Sequence, residues 1–277
     1  MNLTWFESLL YGLVSGLSEF LPISTQAHQQ IFLHIAGSDQ HDPLRDFFVA
    51  LALLLSIYTA CRSVIEQIRR DVKQRDRSGR GQRYSSGRAS DLKMIQNAAV
   101  PMVLAMVMLS FLYRSGGNLL LVCLFLFING LIIFASGRTM QGNKNARSMS
   151  VLDSIFIGIL GAASMLPGLS RIGLTTSGAI YRGADKQNAL NWSLLISIPA
   201  LLVLIAVNLI SAFTFTGTIN LWGDFPFYLL SAVGAYIGGY LSILLMRLIV
   251  SNFEFSNFAF YSWGAALFTF IIYLTVV

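Results

Sequence analysis

The sequence is poor in charge. Only 12% of its 277 residues are Asp, Glu, Lys or Arg, whereas 55% are hydrophobic. A soluble domain carries about a quarter charged residues, so this composition excludes an ordinary soluble enzyme. Several apolar runs reach the roughly 20 residues that cross a bilayer as a helix. The composition therefore predicts an all-α polytopic membrane protein.

Cysteine is scarce as well, and Cys61 and Cys123 both lie inside apolar runs. Two isolated cysteines in such runs predict neither a disulfide framework nor a metal cluster. A basic N-terminal start is also missing, because residues 2–21 are apolar and are interrupted by Glu7 and Glu19. We therefore do not expect this segment to be a cleaved signal peptide.

Acidic residues are outnumbered by basic ones, and the net charge of +6 is concentrated in one place. Ten of the nineteen Lys and Arg residues lie in residues 62–93, together with four acids. So local an excess does not indicate nucleic-acid binding, and its turn-forming composition predicts a solvated loop. The positive-inside rule assigns this loop to the cytoplasm. Residues 137–150 are also basic, and two predicted spans separate them from the first loop, so we expect both on the same side.

The remaining apolar runs predict a bundle of helices joined by short polar links. Apart from residues 2–21, these runs are residues 44–61, 94–112, 119–136, 151–166, 189–213, 226–250 and 257–277. The run 226–250 contains GAYIG, in which small residues allow close helix packing. Short links favour one integral membrane domain, residues 1–277, over two domains.

Two of the apolar segments are interrupted by proline and continue with hydroxyl-bearing residues. The first reads GLSEFLPISTQAH, and the second reads LPGLSRIGLTTSG. At a constant offset of 145 residues, Pro22 meets Pro167 and Thr25 meets Ser170. The match indicates an internal repeat.

The halves of this repeat are residues 1–136 and 151–277. If one half is inverted relative to the other, the two breaks can meet near the middle of the membrane. Non-helical backbone at that depth is tolerated only where it lines a cavity or is buried in protein. We therefore expect an inverted-repeat helical bundle in which two re-entrant, proline-broken helical segments share one site.

The two breaks concentrate the polar groups that phosphate chemistry uses. Arg171 is permanently charged, and its planar fork fits phosphate oxygens, while hydroxyls and free N–H groups at a restarted helix complete an anion cradle. Glu19 or His28 can accept a proton from an attacking hydroxyl or water. A carboxylate such as Glu19 can also hold a divalent cation. The alternative is that Glu19 merely neutralises Arg171 in a kinked helix and that His28 is structural.

The two broken segments resemble the two signatures of the undecaprenyl-diphosphatase family, of the bacitracin-resistance type, and the similarity extends over nearly the whole chain. The resemblance implies a membrane phosphatase that removes the terminal phosphate from a C55 polyprenyl diphosphate and so recycles the lipid carrier of cell-wall glycans. A site open to the outer face, membrane lipids as surroundings, a divalent cation (Mg²⁺ or Ca²⁺) and a homodimer are further expectations.

The resemblance and the polar groups of the two breaks together assign roles to individual residues. Catalytic roles are expected for Glu19, Thr25, His28 and Arg171, and Glu19 is the expected metal ligand. The expected substrate contacts are Ser24, Gln26, Gly168, Ser170, Gly173, Thr175 and Thr176.

The chain departs from the family pattern at several of these positions. Ser15 stands where the family has the first glutamate of its E-x-x-x-E pair, and Thr25 stands where it has a serine. Ile172 replaces the second serine of SRSG, and the second span reads FFVALALLLS without the usual glutamate and glutamine. Loss of carboxylates makes the pocket more positive, which favours holding an anion. Two alternatives to the phosphatase therefore stay open: a non-hydrolytic polyprenyl-phosphate binder or transporter of the same fold, and a small-anion transporter.

Overall fold

The computed structural model describes residues 3–38, 42–77, 87–112, 118–140, 142–214 and 221–276. Over these ranges the chain forms α-helices and two short 3₁₀ turns, and it contains no β-strand. The helices are α1 Trp5–Glu19, α2 Thr25–Ile35, α3 Pro43–Ala60, α4 Arg62–Arg77, α5 Gly87–Leu112, α6 Leu119–Gly137, α7 Val151–Ala162, α8 Arg171–Tyr181, α9 Lys186–Thr214, α10 Leu221–Asn252 and α11 Phe258–Val276.

Six helices of the described ranges are long and apolar enough to cross a bilayer, namely α3, α5, α6, α9, α10 and α11. An α-helix rises 1.5 Å per residue, so about 20 residues match a hydrocarbon core roughly 30 Å thick. This finding confirms the predicted class, an all-α polytopic membrane protein.

The other apolar helices form two hairpins, α1 with α2 and α7 with α8. These helices have 15, 11, 12 and 11 residues, so each is too short to cross, and each hairpin enters the bundle and turns back at its break. Three spans, α3, α5 and α6, separate the two hairpins along the chain. Because three is an odd number of crossings, the second hairpin opens on the opposite side of the bundle from the first.

The two hairpins have the same local structure at an offset of 146 residues. Both first helices begin with a capping box, both second helices begin with a serine cap, and both hairpins end in a glycine with positive φ. The equivalent pairs are Thr4 with Ser150, Ser24 with Ser170, and Gly37 with Gly183. The predicted offset of 145 is therefore wrong by one residue. It aligned Pro22 with Pro167, whereas helix caps rather than prolines fix where these helices begin.

The basic segment is more ordered than its composition indicated. Residues 62–77 form α4 and α5 begins at Gly87, so the prediction of a loop over residues 62–93 is wrong for these parts, while residues 78–86 lie outside the described ranges. Val64, Ile65 and Ile68 recur at helical spacing and pack against the hydrophobic core. One apolar face therefore holds this charged helix against the bundle.

The first hairpin packs against α10 through small residues. A β-carbon added to Gly16 would lie 2.5 Å from the backbone nitrogen of Gly239, and one added to Gly238 would lie 2.6 Å from the carbonyl oxygen of Leu13. The Ser242 hydroxyl also donates to the Gly16 carbonyl at 3.1 Å. The GAYIG segment thus brings two helix backbones into contact, as its small residues predicted.

Candidate active site

The two breaks contact each other through reciprocal hydrogen bonds. The hydroxyl of Ser24 accepts from the backbone N–H of Gly168 at 3.0 Å, and the hydroxyl of Ser170 donates to the carbonyl of Leu21 at 3.1 Å. Each serine is also the N-cap of its own helix, so one side chain closes a helix end and binds the opposite break. The prediction that the breaks meet is confirmed.

The backbone is unusual at Ser24 and at Gly168. Ser24 has φ 66°, and it is the one non-glycine residue of the described ranges with a positive φ. Such a conformation is costly for a residue with a side chain and persists where the surrounding contacts enforce it. Gly168 has φ 113°, and a β-carbon there would lie 2.7 Å from the backbone nitrogen of Leu126 in α6. Glycine is therefore required at this position both for its conformation and for space.

Asn129 of α6 holds both breaks at once. Its side-chain N–H₂ donates to the carbonyl of Pro22 at 3.0 Å and to the hydroxyl of Ser262 at 3.1 Å, while its side-chain oxygen accepts from the backbone N–H of Ser170 at 2.9 Å. The residue is fully buried. Sequence reasoning missed it, although a lone asparagine in the middle of so apolar a span is itself a signal of function.

Glu19 and Arg171 form a buried ion pair across the two breaks. One carboxylate oxygen of Glu19 contacts the Arg171 guanidinium, and the other accepts from the Thr25 hydroxyl at 2.8 Å. The two charged side chains are 7% and 5% exposed. The structure thus contains the neutralising pair that was the alternative interpretation of these residues.

The helix dipoles disfavour both charges of this pair. Glu19 is the last residue of α1 and Arg171 is the first residue of α8, so each charge lies at the end of its helix that the macrodipole disfavours. Both helix dipoles would favour the opposite arrangement of the two charges. The pair is therefore open to exchange. A second anion, such as a phosphate, can replace the Glu19 carboxylate on Arg171.

His28 follows Thr25 by one helical turn. Its Nδ1 lies 2.8 Å from the carbonyl oxygen of Ser24, and its Nε2 lies 2.7 Å from the hydroxyl of Tyr261 in α11. The His28 and Tyr261 rings stack with their centroids 5.8 Å apart. Tyr261 is a second residue that sequence reasoning missed.

The residues at the expected metal position do not form a set of ligands for a divalent cation. Ser15 donates its hydroxyl to the Tyr11 carbonyl at 2.7 Å and accepts from the Gln29 amide at 3.0 Å. Glu19 is already bound by Arg171 and Thr25. Within the described ranges no three His, Cys, Asp or Glu side chains lie together. Mg²⁺ and Ca²⁺ require several oxygen ligands, which these side chains do not supply.

The expected substrate contacts divide into two groups. Ser24, Gly168 and Ser170 join the breaks, as described above, and Gln26 lies half-buried at the start of α2. Gly173 packs against α6, because a β-carbon there would lie 3.3 Å from the side-chain oxygen of Asn129.

Thr175 and Thr176 belong to the second group, which faces the interior. Thr175 donates to the Arg171 carbonyl at 2.8 Å, and Thr176 donates to the Ser193 hydroxyl at 3.0 Å. Both threonines are completely buried, on a helix in which ten of eleven residues are buried. Because their hydroxyls are used within the bundle, the geometry gives no support to the prediction that they contact substrate.

This fold and this site define a class of protein: polytopic helical membrane proteins whose polar centre is built where two re-entrant hairpins meet. Residues 8–268 match the family model described as bacitracin resistance protein BacA, so the chain belongs to that family. The resemblance seen in the two broken segments is thereby confirmed.

Individual proteins are similar to this chain over almost their whole length. The undecaprenyl-diphosphatase of Carboxydothermus hydrogenoformans is 31% identical in an alignment of 265 positions that covers 93% of each chain. The undecaprenyl-diphosphatase of Methanobrevibacter smithii is 30% identical in an alignment of 279 positions, gaps included, that covers 96% of each chain. That of Treponema denticola is 28% identical over 92% of this chain and 93% of its own.

Proposed function

We propose that this chain is a membrane phosphatase that hydrolyses a polyprenyl diphosphate of the undecaprenyl type to the monophosphate and so recycles the lipid carrier. The observation that carries the proposal is the contact of the Thr25 hydroxyl and the Arg171 guanidinium with the two oxygens of one carboxylate, Glu19. A hydroxyl, a proton acceptor and a phosphate-binding cation are the groups that phosphoryl transfer needs. The names of the similar proteins support the same activity.

Substrate binding begins, in this proposal, with an exchange of partners at Arg171. The terminal phosphate takes the place of the Glu19 carboxylate and accepts two parallel N–H bonds from the guanidinium. Glu19 keeps its bond to Thr25, so the released carboxylate is positioned to accept the Thr25 proton. The exchange is favoured because the α8 N-terminus, which disfavours a cation, favours the additional negative charge of a phosphate.

Two groups can act as the nucleophile, the Thr25 hydroxyl or a water molecule. In the first route Thr25 Oγ1 attacks the terminal phosphorus, its proton passes to Glu19, and the bond from phosphorus to the bridging oxygen breaks, which releases polyprenyl monophosphate. Water then hydrolyses the phosphothreonine to free phosphate. In the second route a water activated by Glu19 attacks directly, and Thr25 orients the carboxylate.

A non-hydrolytic polyprenyl-phosphate binder or transporter is the second candidate. Ser15 favours it, because this serine replaces a family carboxylate and forms only hydrogen bonds, to Tyr11 and Gln29.

The divalent cation, Mg²⁺ or Ca²⁺, stays a prediction. The homodimer also stays a prediction, and the mass of the purified protein in detergent tests it.

One experiment separates the phosphatase from the non-hydrolytic binder or transporter. Purified protein is mixed with undecaprenyl diphosphate in detergent, and phosphate release is followed with Mg²⁺, with Ca²⁺ and with a chelator, beside Arg171→Ala. We expect the wild-type protein to release phosphate and the Arg171→Ala variant to release none. Absence of release, with retained binding of undecaprenyl phosphate, would contradict the phosphatase and support the binder.

For the orientation we propose that the basic residues 62–93 and 137–150 lie in the cytoplasm and that the site faces the outer side. α3 begins beside the opening of the first hairpin and ends just before the basic α4, so this hairpin opens away from the basic side. Cysteine placed at Ile35 (66% exposed) should react with an impermeant maleimide on intact cells, and cysteine at Met140 (90% exposed) should not, in a background lacking both native cysteines. The opposite labelling pattern would reverse the orientation.

A further inference from the structure

Both ring nitrogens of His28 are occupied. The Ser24 carbonyl oxygen, 2.8 Å from Nδ1, is an acceptor only, so Nδ1 carries the hydrogen of the neutral ring. Nε2 is then the accepting nitrogen, and the Tyr261 hydroxyl at 2.7 Å donates to it. His28 therefore has no free nitrogen with which to reach a substrate or a water directly.

We propose that Tyr261 is the residue through which His28 exchanges protons with the site. This inference rests on the proposed phosphatase activity and on a proton-transfer role for His28. Thr25 donates to Glu19 and not to His28, so the histidine is not the base of the threonine hydroxyl. Its remaining route to the reacting groups is the phenolic oxygen of Tyr261.

The proton movement balances without any further reactant. In the first route, the water that hydrolyses the phosphothreonine gives its proton to the Tyr261 oxygen while the original phenolic proton moves to Nε2 of His28, which leaves tyrosine unchanged and an imidazolium. In the reverse direction the imidazolium returns its proton to the phenolic oxygen, and the phenol protonates an oxygen of the released inorganic phosphate.

The position of Tyr261 is fixed by its neighbour as well as by its ring. Ser262, the next residue of α11, accepts from Asn129, which in turn binds both breaks. The Tyr261 ring stacks on His28 with the ring centroids 5.8 Å apart, 48% of the tyrosine residue is exposed, and its hydrogen bond to His28 is exposed as well. One turn of α11 is thus held in register with the site at two adjacent residues.

The test compares Tyr261→Phe with Tyr273→Phe, a matched control about 18 Å further along α11 by helical rise. Phenylalanine keeps the stacked ring and removes only the hydroxyl. We expect kcat for undecaprenyl diphosphate to fall about 10²–10⁴-fold, the range of a lost proton-transfer path, with KM changed less than about twofold. Binding of undecaprenyl phosphate should be unchanged, and Tyr273→Phe should match the wild type.

Two further readouts separate a proton path from a merely structural contact. In His28→Ala, adding Tyr261→Phe should cause no additional loss, because the path is already broken. Plotted against the deuterium content of the solvent, wild-type kcat should follow a curve, because two protons move in the same step. The same plot for Tyr261→Phe should be a straight line. Wild-type kcat in Tyr261→Phe, or equal losses in kcat and in binding, would overturn the inference. Inactive wild-type protein would instead refute the proposed function.

Discussion

The first hairpin, α1 with α2, and the second, α7 with α8, begin, break and end at equivalent residues, yet they contribute different chemistry. The first places a carboxylate, Glu19, on the end of its inward helix, where the second has Met165. The second places a guanidinium, Arg171, on the start of its returning helix, where the first has Thr25. Two identical hairpins would bring like charges together at the centre. The duplicated backbone builds the meeting point, and the divergence of the two halves makes it an acid–base pair.

Exchanging the two charges is the strongest test of this comparison. In the double variant Glu19→Arg with Arg171→Glu the ion pair can still form, and each charge now lies at the helix end that favours it, which is worth about 0.3–1 kcal/mol per charge. We expect thermal unfolding in detergent at or above the wild-type temperature and no phosphate release, because Thr25 then faces a cation. Activity in the exchanged protein would show that the direction of the pair is irrelevant.

The threonine on one hairpin should matter far more than one on the other. Thr25→Ala removes the hydroxyl that donates to Glu19, and we expect phosphate release to fall about 10²–10⁴-fold. Thr176→Ala, whose hydroxyl binds Ser193 inside the bundle, is the matched control and should stay close to wild type. If Thr25→Ala keeps its activity, water is the nucleophile.

The guanidinium of Arg171 should not be replaceable by an ammonium. Arg171→Lys keeps the charge but loses the bidentate grip on phosphate, so we expect an activity loss of about 10²–10³-fold. Arg182→Lys, at the other end of α8, serves as the control. Arg182 Nε lies 2.5 Å from Asp153 Oδ1, so this variant also exchanges a guanidinium for an ammonium in an ion pair. Near-normal turnover by Arg171→Lys would refute the proposed phosphate clamp.

The smallest expected effect concerns the residue that joins the two hairpins. Asn129→Leu leaves the Pro22 carbonyl and the Ser170 N–H without this partner, at a cost of about 1–3 kcal/mol for each buried polar group. We expect a lower unfolding temperature, with activity that recovers on cooling. Asn252→Leu, at the exposed end of α10, should change stability by no more than about 0.5 kcal/mol. Unchanged stability of Asn129→Leu would mean that the breaks hold together without it.

Much of this comparison was predictable from the two motifs themselves. Proline followed by hydroxyl residues marked both breaks, and a lone acid and a lone arginine in an apolar chain indicated that Glu19 and Arg171 lie near each other. The register was predicted one residue away, because it was read from Pro22 and Pro167, while the serines that cap the helices determine it.

Other features depend on contacts that no local pattern encodes. Asn129 lies 107 residues from Pro22, and Tyr261 lies 233 residues from His28. Sequence spacing cannot indicate such pairs, because they arise only when α6 and α11 pack beside the breaks. The helix α4 was missed for a different reason: its charge obscured the apolar face formed by Val64, Ile65 and Ile68.

The reciprocal serine bonds also constrain how the chain is made. The hydroxyl of Ser24 binds the N–H of Gly168, which is synthesised 144 residues later. The Leu21 carbonyl binds the hydroxyl of Ser170, which is synthesised 149 residues later. At about 5–20 residues per second, ribosomal synthesis leaves the first break incomplete for roughly 7–30 s. Bare backbone polar groups are not tolerated in hydrocarbon. We therefore expect the first hairpin to stay at the lipid–water boundary or inside the insertion machinery during that interval, and to reach its final depth only after the second hairpin has been synthesised.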